Sequence, residues 1–279
     1  MSASLTPAER FLVDFHDRRP GITAQVFHAL PASKGGVLAA SSYHHLAALV
    51  PAGDSPCTVL DVACGDGHLL ALVAASRPAS NSLVGIDISG GELHAARQRL
   101  GPRATLVQAR AQALPLPDAS VDGVLCHLAL MLMDELDTVL AQVRRVLRPG
   151  GFFGFVVGAR PPPSAALSLF LAQLAAIRQR LGSGVPELGD RRLARPERIE
   201  QLLAGPFGGV VIDELSVTRR CTPAELWAWF DGMYDLDGLD AAVLADMRTA
   251  YIDALTPLCD ADGRVAYTDA LRLVRATAV

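Results

Sequence analysis

The sequence predicts an α/β fold, a doubly wound parallel sheet with helices on both faces. Three observations predict it. Between residues 58 and 158, short apolar runs alternate with stretches of helical length. Those runs lack the hydrophobic–polar alternation of a half-exposed strand, so they belong to strands buried on both faces, as in parallel sheets. Right-handed crossovers then distribute the intervening helices to the two faces. The third observation is a break in "TVLDVACGDGHLL" (58–70), where Gly65, Asp66 and Gly67 interrupt an apolar run that resumes at once.

The first fifty residues read as helices. "TPAE" (6–9) is a capping box with proline at the first helical position, and Phe11, Leu12 and Phe15 fall on one face behind it. "RRPG" stops that helix, "TAQVFHAL" predicts a second short helix, "SSYHHLAAL" a third, and "PAGDSP" a loop. Strands follow at "TVLDVA", "SLVGIDI", "ATLVQA" and "SVDGVLCH", with helices at "GHLLALVAAS", "GGELHAARQRL" and "DELDTVLAQVRRVL". "RPGG" is a turn before the strand "FFGFVVG". The alternation then pauses. A proline-rich exit leads into the long helix of "ARPPPSAALSLFLAQLAAIRQRLGSG", and "RPERIEQLLAG" is another helix. "GGVVIDELSVTRR" is a strand, "TPAELWAWF" repeats the Thr-Pro-x-Glu helix start, "LDAAVLADMRTAYIDALTPL" is helical, and "GRVAYTDALRLVRATAV" ends the chain as a strand. This divides the chain into an N-terminal helical lid (1–50) and a sheet domain (51–279), with a helical insertion at about 160–204 contributing to a substrate lid.

Composition narrows the function. The chain has 279 residues, of which 51% are hydrophobic, enough for a sizeable core. A net charge of −4 supplies no basic field for phosphate, which argues against a nucleic-acid partner. The cysteines, at 57, 64, 126, 221 and 259, are odd in number and without CxxC spacing. That suits buried thiols in a reducing cytoplasm rather than disulfides or a metal site. "MSASLTPAERFLVDF" has no basic stretch ahead of an apolar core, so no signal peptide is expected, and no run suits a membrane span.

The break at 65–67 carries the chemistry. The glycines permit positive φ and bring bare backbone against a ligand, while the following helix offers unpaired N–H groups. This is the design of a nucleotide crevice at the carboxyl edge of a parallel sheet. Asp87 closes the second strand, twenty positions beyond Gly67. A carboxylate there can accept from both hydroxyls of a ribose, each charged hydrogen bond contributing about 1.5–3 kcal/mol. A dinucleotide fingerprint would place a third glycine where Leu70 stands. Asp61, inside the first strand, suits an ammonium group and repels a pyrophosphate. The pattern therefore favours a nucleoside cofactor with an amino-acid tail and no phosphate over NAD.

Over about 58–157 the chain resembles the class I S-adenosylmethionine-dependent methyltransferases. "VLDVACGDGHLL" is similar to their first motif, "VGIDIS" to the second and "RVLRPGGFFGFVV" to that of the fifth strand, while "ARAQALPLPDASVDGVLCHLALMLM" resembles the third and fourth motifs of the small-molecule group called type 11. The resemblance implies a Rossmann-like, seven-stranded sheet in the order 3-2-1-4-5-7-6, strand seven antiparallel, with a helical lid. It implies S-adenosyl-L-methionine as cofactor and a small-molecule methyl acceptor as partner. By position, Ala63, Gly65 and Gly67 would line the methionine portion and Asp61 would orient its ammonium. Asp87 would hold the ribose and Ile88 pack on the adenine, with Ala111 and Gln112 along the adenine edge and His127 near the methyl group. Arg110 stands where the related pattern has an acid; either Gln112 supplies the missing acceptor or Arg110 stacks on the ring.

His127, Tyr43 and His44 are the candidates for catalytic or acceptor-contacting groups, although methyl transfer can proceed without a base. "CHLA" replaces the "NPPY"-type tetrapeptide that accompanies amide or exocyclic-amine methylation in related enzymes. "LALMLM" (128–133) is core or the floor of an apolar acceptor pocket. These features favour methylation of O, N or C on a small, largely apolar metabolite, in specialised biosynthesis. The alternatives are non-methylating chemistry on the same fold, such as cyclisation or decarboxylation, and an NAD-dependent dehydrogenase, which Leu70 and Asp61 disfavour.

Overall fold

The computed structural model describes residues 5–52, 55–76, 82–182 and 184–279. The leader reading at the N-terminus and the loop at 51–56 fall partly on residues 1–4, 53 and 54, outside the described residues.

The chain opens with α1 (Pro7–Arg18). The Thr6 hydroxyl accepts from the Glu9 N–H and the Glu9 carboxylate accepts from the Thr6 N–H, closing the reciprocal cap that the spacing predicts. After α2 (Ile22–Phe27), the helical reading of the first fifty residues fails. The stretch 32–39 is a hairpin, β1 (Ala32–Lys34) and β2 (Val37–Ala39), turning on Gly35 and Gly36 at φ 52° and 86°. Two consecutive left-handed residues make the tight turn whose twist matches paired strands, and Gly-Gly is a sequence signal for it. The strand itself was illegible because its partner lies far along the chain: Ala32 pairs with Val217.

α3 (Ser42–Ala47) precedes the alternating region. There β3 (Thr58–Val62), α4 (His68–Ser76), β4 (Ser82–Asp87), α5 (Gly90–Leu100), β5 (Thr105–Gln108), β6 (Val121–His127), α6 (Leu136–Val146) and β7 (Leu147–Gly158) follow in the expected order. Beyond them come α7 (Ala165–Leu181), α8 (Pro196–Leu203), β8 (Phe207–Cys221), α9 (Pro223–Phe230), α10 (Ala241–Leu255) and β9 (Val265–Ala278). The sheet runs β2-β1-β8-β9-β7-β6-β3-β4-β5. It has nine strands where seven were expected, because the N-terminal hairpin extends the β8 edge. β3, β4, β5, β6 and β7 are mutually parallel, and β9 is antiparallel to both β7 and β8.

Successive residues of β3 serve opposite faces. Val59 joins Leu69, Leu70, Val73 and Leu93 on the α4–α5 side. Leu60 joins Val124, Phe153 and the α6 stripe Leu136, Val139, Leu140 and Val143 on the other. α8 also packs on that second side, through Ile199 and Leu203. A third cluster forms above the carboxyl edge, where Phe170 and Leu174 of α7 meet Trp227, Trp229 and Phe230 of α9, Met247 and Tyr251 of α10, and Tyr267 of β9. The segment 160–204 therefore splits: α7 joins the cap and α8 covers the sheet. α9 and α10, which the sequence reading left out of the lid, complete the cap.

Gly85 of β4 lies where α4 and β5 approach most closely. A Cβ there would meet Leu106 Cδ2 at 2.7 Å, Cys64 Sγ at 2.8 Å and Leu70 Cδ1 at 3.0 Å. Gly85→Ala should therefore destabilise the fold by about 1–3 kcal/mol through overpacking. Urea unfolding measures this, and an unchanged midpoint would show that the approach has slack.

Candidate active site

The turn after β3 is built from left-handed residues: φ is 57° at Ala63, 52° at Gly65 and 76° at Gly67. The two glycines do different work. Gly65 faces a cavity of about 130 Å³, whereas Gly67 is absent from its wall. A Cβ on Gly67 would meet Leu100 Cδ1 at 2.7 Å and Ala96 Cβ at 3.3 Å, so this glycine lets α5 approach the turn. Asp61, Ala63, Asp87, Ile88, Ala111, Gln112, Tyr43 and His127 do line the cavity, together with Gly65.

Its two acids are held differently. Asp87 Oδ2 accepts from the Gly65 N–H at 2.8 Å and Oδ1 from the Ser89 N–H at 2.9 Å. Burial raises its carboxyl above the usual range, and those two N–H donors and the nearby His16 pull it back. Asp61 is 1% exposed, and neither carboxylate oxygen has a hydrogen-bond partner. Burial, reinforced by the charges of Asp87 and Asp66, pushes its carboxyl well up. A buried carboxyl without partners is costly and points to a cationic or hydrogen-bond-donating ligand.

Arg110 does not line the cavity. Its guanidinium pairs with Glu9 at 2.7 Å and Glu135 at 3.4 Å, so it fastens the start of α1. Thr6 reinforces the clasp through a 2.5 Å hydrogen bond to Asp134. The Gln112 side-chain amide donates to the Asp134 carbonyl at 2.8 Å, and Gln112 lines the cavity.

His127 ends β6 with Nε2 hydrogen-bonded to Ser42 Oγ at 2.9 Å and Nδ1 unpartnered. Tyr43 stacks on it, ring centroids 3.6 Å apart, and meets His68 edge-on at 4.8 Å. Burial, with a smaller contribution from His68, pushes the His127 imidazole down to about 3, so it is neutral at pH 7 and a poor base. His44 lines neither this cavity nor the next; its Nδ1 sits 2.9 Å from Ser41 Oγ. The structure thus separates it from Tyr43 and His127, because adjacent helical residues point in different directions.

Three cavity residues escaped the sequence reading. Glu92 of α5, 2% exposed, accepts from the Gly21 N–H through Oε2 at 2.8 Å, and its Oε1 lies 2.8 Å from His16 Nδ1. His16 Nε2 lies 2.9 Å from the hydroxyl of Tyr234, in the helical turn after α9. Ser89 and Glu92 have capping-box spacing, and the Ser89 hydroxyl does accept from the Glu92 N–H. The reciprocal bond is missing because Asp87 has taken the Ser89 N–H, which frees the Glu92 carboxylate for the cavity. That spacing was the available signal; nothing local pointed to His16 or Tyr234.

A second cavity of about 450 Å³ adjoins the first, and Thr23, Leu128, Leu132 and Tyr234 line both. Its wall is mainly apolar, with Phe27, Met131, Leu171, Trp229 and Tyr267 among its residues. Within "LALMLM", Leu130 is core while Leu128, Met131 and Leu132 face the cavity.

Residues 60–155, which carry Asp61, the turn and Asp87, match the methyltransferase-domain family model. Over these residues the chain is similar to methyltransferase domains. The chain is 36% identical over 108 residues to demethylmenaquinone methyltransferase of Symbiobacterium thermophilum, covering 37% of this chain and 43% of that protein. The chain spans under half the length of the curated relatives it matches first. Likeness in fold extends further than the domain match. The [4+2]-cyclase SpnF superposes with a TM-score of 0.60 at 18% identity, covering 99% of this chain and 97% of that one. Phosphoethanolamine N-methyltransferase 2 of Haemonchus contortus, solved with phosphomonomethylethanolamine and S-adenosylhomocysteine, gives 0.58 at 15% identity, covering 98% of this chain and 60% of that one.

Two outcomes follow from the domain's charges. Arg110→Ala strands Glu9, which should cost on the order of 3 kcal/mol locally; faster amide exchange confined to α1 would report it, and unchanged exchange would remove the clasp. His127 takes a proton at about 6.5 when unfolded but only at about 3 when folded. Its contribution to stability is therefore intact above pH 6.5 and lost as the pH falls toward 3, at about 1.4 kcal/mol per pH unit. Urea unfolding across that window should show a shallower acid limb in His127→Gln than in the wild type.

Proposed function

We propose that the protein is an S-adenosyl-L-methionine-dependent methyltransferase acting on O, N or C of a small, largely apolar metabolite in specialised biosynthesis. The observation that carries the reading is the unpartnered carboxyl of Asp61, buried beside bare backbone at Ala63 and Gly65 and across from Asp87. That donor set fits the cofactor: an anion for its ammonium, peptide groups for its amino-acid tail, and for its ribose a carboxylate whose oxygens retain lone pairs after accepting one N–H each. Ile88, Ala111 and the Gln112 carbonyl oxygen supply an apolar wall and an acceptor for adenine.

When bound, the sulfonium supplies an electrophilic methyl whose leaving group is a neutral thioether, so this chain needs no general acid. Its residues hold the two partners in line, which can supply about 7–11 kcal/mol of the barrier. Thr23, Leu128, Leu132 and Tyr234 border the cofactor crevice and the larger cavity alike, and the acceptor enters through that border. The apolar wall beyond it supports an acceptor recognised by shape and area more than by charge.

Calorimetry with S-adenosylmethionine, S-adenosylhomocysteine and NAD tests the cofactor. Asp87→Ala and Asp61→Asn should each weaken binding of the first two by about tenfold or more; NAD binding, or unchanged affinities, would overturn the assignment. Methyl-labelled cofactor incubated with a metabolite extract then reveals the acceptor. Tight cofactor binding without any labelled product would point instead to non-methylating chemistry on this fold.

A further inference from the structure

We infer that Tyr234, His16 and Glu92 form a proton relay that deprotonates a weakly acidic hydroxyl, phenolic or enolic, on the acceptor. The inference rests on the methyltransferase reading and deepens it by naming the acceptor group and its base. The three side chains come from α5, α1 and the turn after α9, and only the tertiary fold joins them. Their hydrogen bonds are 2.8 Å from Glu92 to His16 and 2.9 Å from His16 to Tyr234. Glu92 and His16 lie on the cofactor cavity, and Tyr234 lies on both cavities, at the border that acceptor and methyl group must share.

Hydrogen-bond polarity sets the direction of the relay. A carboxylate only accepts, and Glu92 already accepts from the Gly21 N–H. His16 therefore donates from Nδ1, which leaves the Nε2 lone pair to accept from the Tyr234 hydroxyl. Tyr234 oxygen then presents a lone pair of its own toward the cavities. In the step, the acceptor's proton passes to Tyr234 oxygen as the Tyr234 proton passes to His16 Nε2. The O–H bonding pair stays on the acceptor oxygen as the attacking pair, and an imidazolium remains against Glu92. Glu92 on α5 and Asp87 at the end of β4 are the charges set beside His16; both are anions, which suits a site that must hold that imidazolium. His127 does not serve this purpose. It lines the cofactor cavity alone, stacks under Tyr43, and its buried imidazole resists protonation.

The probe is 4-nitrophenol, whose phenol and phenolate absorb at different wavelengths, titrated into the protein with and without S-adenosylhomocysteine at one pH unit below the free probe's pKa. Bound to the wild type, it should show a phenolate fraction at least threefold above that of the free probe. His16→Gln and Tyr234→Phe should return the fraction to the free value, and Glu92→Gln should lower it. Tyr234→Phe keeps the ring against Phe11 and Phe15, so it remains informative should His16→Gln fail to fold. The same phenolate fraction in wild type and Tyr234→Phe, or no binding of the probe, would overturn the relay. Because the ionisation is read without cofactor as well as with it, failure of S-adenosylhomocysteine to bind would sink the methyltransferase reading separately.

Discussion

The structure depends on two carboxyl groups buried near each other at the carboxyl ends of neighbouring parallel strands. Asp61 and Asp87 stand on β3 and β4, which pair in register. Placing two acids in a low-dielectric crevice is unfavourable unless each finds donors. The fold satisfies Asp87 from within, by turning the backbone so that the Gly65 and Ser89 N–H groups reach it. Asp61 has no hydrogen-bond partner on either oxygen, and two buried carboxyls together favour cations and hydrogen-bond donors over anions in the crevice.

Satisfying Asp87 internally has consequences downstream. Because its second oxygen takes the Ser89 N–H, the reciprocal cap on α5 does not close, and Glu92 turns instead to Gly21 and His16. α1 and the start of α2 are thereby drawn over the crevice. The far end of α1 is held by a separate ion pair, Arg110 with Glu9. One helix is thus fastened at both ends to elements of the sheet domain, and it lines the cavity at the carboxyl edge through Glu9, Leu12 and His16. The residue that departs from the related pattern, Arg110, has a structural reason to be there.

The cap supplies the rest. α7, α9 and α10 pack through aromatic side chains, with Phe170 and Phe230 stacked at 4.1 Å between centroids. The rings of Trp229 and Tyr267 that face the larger cavity belong to the same cluster. The wall of the larger cavity and the cap core are therefore one hydrophobic unit, and changes in that wall carry a stability cost.

Local chemistry determined much of this protein from sequence alone. The apolar runs of β3, β4, β6 and β7, the glycine break, the acids at 61 and 87 and the capping boxes at Thr6 and Thr222 all depend on near neighbours in the chain, so their spacing was readable. The tertiary structure alone decided the β1–β2 extension, the use of Gly67 for helix packing, the pairing of Arg110 with Glu9, and the meeting of His16, Glu92 and Tyr234. Each of those joins residues or elements far apart in sequence, and which distant groups become neighbours is set by how the sheet and its helices pack, a matter of long-range shape and burial that no local pattern encodes.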